Sequence, residues 1–183
     1  SHIASQIYKN FGFDPTPGQK TVVERLSRFI AEAPTDRTFI LNGYAGTGKT
    51  TLVAALVRTL EEMGVPAVLL APTGRAAKVF PAYAGHPAFT IHKKIYRQQS
   101  FSNELSNFSV NDNLTTHTLY IVDESSMIAN DGLSGSAFGT GRLLDDLVQF
   151  VYSGMGCRLL LMGDTAQLPP VGEEQSPALF AEA

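Results

Sequence analysis

The chain has 183 residues, of which 44% are hydrophobic and 17% are charged, and its formal net charge is −3. These values fit one α/β domain with a real core and exclude a disordered chain or two full-sized domains. No apolar run reaches the roughly 18 residues of a membrane span, and no signal-like segment opens the chain. The single Cys157 excludes a disulfide framework and a cysteine-based zinc site, and we expect it to be a small hydrophobe, buried or at a strand edge. We therefore expect a soluble, cytoplasmic domain without a membrane partner.

Apolar periodicity predicts helices and strands that alternate along the chain. Pro17–Ala33 and the stripe from Leu52 to Met63, which Gly64 closes, have helical spacing, and a third helix is predicted from Leu143 to Val151. The predicted strands lack the two-residue alternation of a half-exposed sheet. They are therefore typical of a doubly wound parallel α/β sheet, covered by helices on both faces. The strands are Thr38–Leu41, Ala67–Ala71, Thr118–Val122 and Arg158–Met162.

Three stretches do not fit this alternation. Gln98–His117 is polar, rich in Asn, Ser and Thr, and is predicted to be an insertion, with a small hairpin as one form. Ala129–Gly141 carries four glycines and is predicted to be a loop. Ser176–Ala183 has the pattern of a helix start.

Charge is distributed unevenly along the chain. Between Met63 and Asn103 there is no Asp or Glu but five Lys or Arg, so the remaining residues carry 9 basic against 17 acidic groups, or −8. This asymmetry predicts a local basic face on an acidic domain, suited to a polyanion. A solvated basic run that binds nothing is the alternative. The five residues are Arg75, Lys78, Lys93, Lys94 and Arg97.

Residues 43–50 match the phosphate-binding pattern G-x-x-x-x-G-K-[ST] between a predicted strand and a predicted helix. Glycines let successive backbone N–H groups surround phosphate oxygens, and the helix dipole adds to the attraction. Lys49 would reach the β- and γ-phosphates, and the Thr50 hydroxyl would coordinate Mg²⁺. A glycine-rich turn without a ligand is the alternative. The predicted contacts are Gly43, Gly46, Thr47, Gly48, Lys49, Thr50 and Thr51.

Two adjacent acids follow the predicted strand Thr118–Val122. Asp123 can hold magnesium through water, and Glu124 can polarise an attacking water molecule. The alternative is that both acids only cap the following segment. Beside a phosphate loop, the pair predicts a site that hydrolyses a nucleoside triphosphate.

Further motifs occur in a fixed order around this site. Together with the phosphate loop and the acid pair, they resemble the first RecA-like domain of superfamily 1 DNA helicases, and most of all its RecD-like and Dda-like branch. The resemblance covers nearly the whole chain. The motifs are Pro17-Gly-Gln19, Ala71–Lys78, Thr90–Lys93, Val122–Met127 and Gly163–Val171.

The resemblance implies ATP and Mg²⁺ as ligands and assigns roles to individual residues. Gln19 would read the adenine edge, and Lys49 and Glu124 would be catalytic. Gln167 would sense the γ-phosphate and couple it to the DNA groove, and Asp123 with Thr50 would hold the metal. The implied single-strand path consists of Pro72, Thr73, Arg75, Lys78, Thr90, His92 and Lys93.

The resemblance also implies a larger machine, an ATP-dependent 5′→3′ translocase or helicase. A second RecA-like domain with an arginine finger is absent from residues 1–183, so we expect this chain by itself to hydrolyse ATP very slowly. The insertion at residues 98–117 falls where related helicases carry a strand-separating pin, with Phe101 or Phe108 as its apolar tip or as a buried anchor. An RNA helicase and a nucleotide-gated DNA-binding subunit of a recombination nuclease complex are the alternative functions.

Overall fold

The computed structural model describes residues 2–12, 14–32, 38–42, 49–98, 108–123, 125, 128, 143–163 and 173–176. The helices are α1 His2–Phe11, α2 Pro17–Glu32, α3 Lys49–Met63, α4 Gly74–Ala84, α5 Ile91–Ile95 and α6 Leu143–Tyr152. The strands are β1 Thr38–Asn42, β2 Ala67–Ala71, β3 Ala88–Thr90, β4 Tyr96–Gln98, β5 Phe108–Val110, β6 Leu119–Val122, β7 Arg158–Gly163 and β8 Glu173–Ser176.

Six strands form one sheet in the order β3-β2-β6-β7-β1-β8, and every pair of neighbours in it is parallel. The four strands predicted from the sequence form its continuous centre, which confirms the parallel α/β fold. The two edge strands were not predicted. The prediction that a helix begins at Ser176 is wrong at that residue, because Ser176 is the last residue of β8 and pairs with Leu41 of β1. Residues 177–183 and 129–141 lie outside the described residues.

The core consists of two apolar layers, one on each face of the sheet. Phe39 and Leu41 of β1 belong to one layer, and Ile40 between them belongs to the other. The same division holds along β6 and β7, so each central strand buries apolar side chains on both faces. Helices α1 to α4 contribute to the first layer, and α5 and α6 contribute to the second. This arrangement explains why these strands read as continuous apolar runs.

Helices α1 and α4 were not predicted from the sequence. Helix α1 buries Ile3, Ile7 and Phe11 at helical spacing, which was a usable signal. Helix α4 contains Pro81, which weakens the local helical pattern, and it is held by a Thr73 N-cap and by Gly85, whose φ is +76°. Within the described residues, no helix combines the length and the apolar character needed to cross a membrane.

The predicted insertion contains an antiparallel hairpin. Strand β4 pairs with β5, with Tyr96 opposite Val110 and Gln98 opposite Phe108. The hairpin begins two residues before the predicted start at Gln98, directly at the end of α5. Residues 99–107, including Phe101, lie outside the described residues, as does the side chain of Phe108.

Candidate functional site

The carboxyl ends of β1 and β6 meet at one edge of the sheet, with β7 between them. Asn42 pairs with Gly163, and Val122 pairs with Leu161. The phosphate-loop segment that follows Asn42 and the acid that follows Val122 therefore leave the sheet about 10 Å apart, two strand spacings. Ligands of open α/β sheets bind at this edge. Residues 43–48 and the side chain of Lys49 lie outside the described residues, as do Glu124 and Gln167.

Asp123 occupies a buried position at this edge and is 7% exposed. Its backbone N–H donates a 3.0 Å hydrogen bond to the carbonyl of Leu70 in β2. Two residues later, the Ser125 hydroxyl donates a 2.7 Å hydrogen bond to the carbonyl of Met162 in β7. The segment after β6 is therefore tied to both neighbouring strands, which fixes the backbone that carries the Asp123 carboxylate.

The first turn of α3 completes this part of the site. Thr50, the last residue of the phosphate-binding pattern, is exposed, and Thr51 is half-buried. The Thr50 hydroxyl and the Asp123 carboxylate are oxygen ligands of the kind that Mg²⁺ prefers, alongside substrate phosphates. The described residues contain no cluster of three or more His, Cys, Asp or Glu able to hold a metal on its own. The oxygen atoms of Thr50 and Asp123 therefore fit a magnesium ion that is also bound by the phosphates of a nucleotide.

Gln19 has a structural role that the sequence analysis missed. The Thr16 N–H donates a 2.9 Å hydrogen bond to Gln19 Oε1, and the Gln19 N–H donates a 3.1 Å hydrogen bond to Thr16 Oγ1. This reciprocal pair is a capping box at the start of α2, and the spacing Thr-x-x-Gln was the signal for it. Gln19 is buried, and its side-chain NH₂ makes no hydrogen bond to any described residue. The capping box therefore fixes the amide oxygen and leaves the NH₂ free to donate.

The predicted single-strand residues come together at the opposite part of the same sheet edge. Ala71 of β2 pairs with Thr90 of β3, so the motif that follows Ala71 and the motif that begins at Thr90 start side by side. Arg75 and Lys78 are exposed on α4. The structure thus places the starts of both motifs on one surface, the carboxyl ends of β2 and β3, from which α4 and α5 run along opposite faces of the sheet. Lys93 and the half-buried His92 lie in α5, and the half-buried Pro72 precedes α4.

Two threonine hydroxyls of this surface begin helices. Thr73 Oγ1 accepts a 3.1 Å hydrogen bond from the Ala76 N–H, and Thr90 Oγ1 accepts a 3.2 Å hydrogen bond from the Lys93 N–H. A hydroxyl that accepts one hydrogen bond can still donate another. Both threonines can therefore cap their helices and donate to a phosphate oxygen at the same time.

The basic side chains of this surface are not neutralised within the described part of the chain. Arg75, Lys78 and Lys93 are exposed and form no ion pair with a described residue. Burial lowers the pKa of His92, so its imidazole stays neutral at neutral pH. The cationic character of the surface therefore comes from Lys and Arg, as the acid-free segment predicted.

Cys157 is buried, which confirms its predicted role as a small hydrophobe. It lies within a polar cluster in which Asn113 Nδ2 donates to the Val151 carbonyl at 3.1 Å and Thr115 Oγ1 contacts the Tyr120 hydroxyl at 2.9 Å. The cluster ties the segment after the hairpin to the turn before β7. It lies at the amino-terminal edge of the sheet, away from the candidate site.

Comparisons with known proteins identify the family of this chain. A family model described as an AAA domain (AAA_30) matches residues 15–183. An ATP-dependent RecD2 DNA helicase of Deinococcus radiodurans is 33% identical over 159 residues, which covers 86% of this chain and 19% of that protein. The ATP-dependent DNA helicase dda of Enterobacteria phage T4 is 30% identical over 171 residues, which covers 92% of this chain and 36% of that protein.

A solved structure, the Pif1 helicase from Candida albicans, is similar with a TM-score of 0.48 and 16% identity, over 90% of this chain and 40% of that chain. The chain thus spans well under half of the length of each of these proteins. On the family match, the chain belongs to the AAA-domain family, with the P-loop, RecA-like fold of a superfamily 1 helicase first motor domain.

Proposed function

We propose that this chain is the ATP-binding first motor domain of a DNA helicase that moves 5′→3′ along single-stranded DNA. The observation that carries the proposal is the layout of one sheet edge. The phosphate-loop segment follows the carboxyl end of β1, and Asp123 follows that of β6. The two motifs with the basic residues begin at the carboxyl ends of β2 and β3, and β2 is the neighbour of β6. The names of the RecD2 and dda relatives, both ATP-dependent DNA helicases, support DNA as the polymer. The polarity rests on resemblance to that branch.

In the nucleotide half, the backbone N–H groups of residues 43–48 and the Lys49 ammonium would bind the phosphates. Thr50 and Asp123 would hold Mg²⁺, which neutralises charge that develops on the phosphates during transfer. Glu124 would accept a proton from the attacking water, and Gln167 would contact the γ-phosphate. The free NH₂ of Gln19 could donate to a ring nitrogen of adenine, while Thr16 holds its amide oxygen.

In the polymer half, the contacts would be to the phosphate backbone and would carry no sequence preference. The proposed donors are the Thr73 and Thr90 hydroxyls and the cations of Arg75, Lys78 and Lys93, and His92 is a further proposed contact. Hydroxyls, amides and cations suit backbone contacts rather than base reading. The acid-free segment between Met63 and Asn103 contributes no competing carboxylate of its own to this path.

The arginine finger would come from a second RecA-like domain of the same natural protein. Such an arginine raises kcat by a factor of about 10³–10⁵ in related NTPases. Residues 1–183 alone should therefore bind Mg²⁺-ATP weakly and hydrolyse it very slowly. Robust ATP turnover by residues 1–183 alone, persisting through purification, would contradict the proposal that a second domain supplies the arginine finger.

The test is ATPase activity of the natural full-length protein with and without single-stranded DNA or RNA of matched sequence. DNA stimulation alone supports the proposal, equal or greater stimulation by RNA supports an RNA helicase, and no stimulation contradicts both. Lys49→Ala should abolish nucleotide binding, whereas Glu124→Gln should keep binding and stop hydrolysis. Wild-type turnover by Glu124→Gln would show that the proposed catalytic carboxylate is wrong.

A further inference from the structure

Phe89 is a large aromatic residue on the surface of the domain. It is 41% exposed, although it lies in β3 between the buried or half-buried residues Ala88 and Thr90. Among the described residues, the other large hydrophobic side chains exposed to this degree are the aliphatic Val79, Leu114 and Met155. Phe89 is therefore the one phenylalanine or tyrosine side chain, among those that the structure describes, that is more than a third exposed.

Two features leave this ring accessible. Strand β3 is an edge strand in the described sheet, so no described strand lies on its outer side. Phe89 pairs with Leu70, and paired residues of a parallel sheet point to the same face, here the one covered by α5. The short helix α5 leaves the outer part of the ring uncovered.

A lysine lies against the same ring. Lys94 Nζ is 5.3 Å from the centre of the Phe89 ring, which is a cation–π contact. Lys94 forms no ion pair with any described residue. An ammonium that is held by a ring and not by a carboxylate keeps its charge available to an anion.

The ring and the cation adjoin the proposed single-strand path. Phe89 directly precedes Thr90, and Lys94 directly follows Lys93, two of the proposed backbone contacts. No Asp or Glu occurs in the chain from Met63 to Asn103, so the local sequence repels no phosphate. A nucleotide joins a flat aromatic base to an anionic phosphate, and an aromatic ring beside an ammonium complements both.

We propose that Phe89 and Lys94 form a stacking platform for one nucleotide of the bound single strand, with the base on the exposed part of the ring and the phosphate beside the ammonium. This inference rests on the proposed function. It adds a contact to the bases, whereas the path described above contacts only the backbone. Stacking on an aromatic ring is tolerant of sequence because every base has a π-face.

The experiment compares two probes by fluorescence anisotropy with the natural full-length protein. One probe is an oligothymidylate, and the other has the same length and backbone charge but only abasic residues. Phe89→Ala should weaken binding of oligothymidylate by about 5-fold or more and leave the abasic probe unchanged, because only the former can stack. Phe89→Tyr should restore wild-type affinity, and Lys94→Met should weaken binding of both probes.

Matched controls separate stacking from damage to the fold. Met155→Ala removes another exposed hydrophobe, at the amino-terminal side of β7, and should bind both probes as the wild type does. If Phe89→Ala weakened binding of both probes equally, the platform would be overturned, since this result would indicate that the substitution had altered the structure at Thr90 and α5. Unchanged oligothymidylate affinity would also overturn it and leave the proposed function intact. Failure of the wild type to bind either probe would overturn the proposed function together with the platform.

Discussion

The Tyr96 hydroxyl donates a 2.7 Å hydrogen bond to the carboxylate of Asp146, and both side chains are buried. Tyr96 joins α5 to the hairpin, and its ring packs against the ring of His92 with their centres 5.5 Å apart. Asp146 lies in the first turn of α6. This hydrogen bond therefore connects the helix that carries proposed DNA contacts, the base of the hairpin and the helix that leads into β7.

We expect Tyr96→Phe to lower the free energy of unfolding by about 1–3 kcal/mol, because a buried carboxylate loses a donor. Asp146→Asn should cost less, since its amide oxygen can still accept the same hydrogen bond. Urea denaturation measures both changes. A wild-type urea midpoint for Tyr96→Phe would show that this hydrogen bond contributes nothing to stability.

The raised pKa of Tyr96 predicts how the stability of the domain depends on pH in the alkaline range. Burial, followed by the hydrogen bond to Asp146 and its negative charge, raises the pKa of Tyr96 well above its ordinary value of 10.0. Above about pH 10 the unfolded chain therefore releases a proton that the folded chain retains, so this stabilisation is complete below that pH and declines as pH rises.

Tyr96→Phe should lose less stability than the wild type between about pH 9 and pH 11, as urea midpoints across that range would show. Some dependence should remain, because burial also raises the pKa of Tyr120. Parallel curves for the two proteins would contradict an unusually high pKa at Tyr96.

Gly154 lies against the buried cluster of Asn113 and Cys157. A Cβ atom there would be 2.5 Å from Asn113 Nδ2 and 2.8 Å from Cys157 Sγ. Gly154→Ala should therefore destabilise the domain by about 1–3 kcal/mol through overpacking. Gly74→Ala is the matched control, because no atom lies within 4 Å of its added Cβ. Thermal unfolding compares the two, and equal melting temperatures would contradict the clash.

The capping box predicts a graded effect at Thr16. Thr16→Ala should cost about 1 kcal/mol of stability, because the Gln19 N–H loses its acceptor, whereas Thr16→Ser keeps the hydroxyl and should cost little. Chemical denaturation measures both. Both variants keep the Thr16 N–H that holds the Gln19 amide oxygen, so ATP binding should change little in either. Equal stability of the two variants would contradict the capping role.

The basic surface predicts how DNA affinity depends on salt. Neutralisation of about three phosphates would give a slope near −2 for log affinity against log salt, at about −0.7 per phosphate on single strands. In the natural full-length protein, Lys78→Ala or Lys93→Ala should flatten this slope by up to about 0.7 and weaken all sequences alike. Lys9→Ala, an exposed lysine on α1, is the control. Wild-type affinity and slope in both test variants would mean that the basic run is a solvated face.

Much of the fold and of the candidate site could be predicted from local sequence. The apolar runs of β1, β2, β6 and β7 predict strands buried on both faces, and helical stripes predict α3 and α6. The chemistry of the site could also be predicted from local sequence, since the phosphate-loop pattern and the acid pair at Asp123 each occupy a few consecutive residues. The capping box at Thr16 and the spacing within α1 were local signals too, although they were not used.

Only the tertiary structure decided which of these pieces meet. Strand order is non-local, because it depends on pairing between segments far apart in the chain. It places β7 between the phosphate-loop strand and the Asp123 strand, and it sets Ala71 beside Thr90. The three-residue strand β3 has no periodicity of its own and is a strand because β2 pairs with it. Phe89 is exposed because that pairing leaves it at the edge of the described sheet.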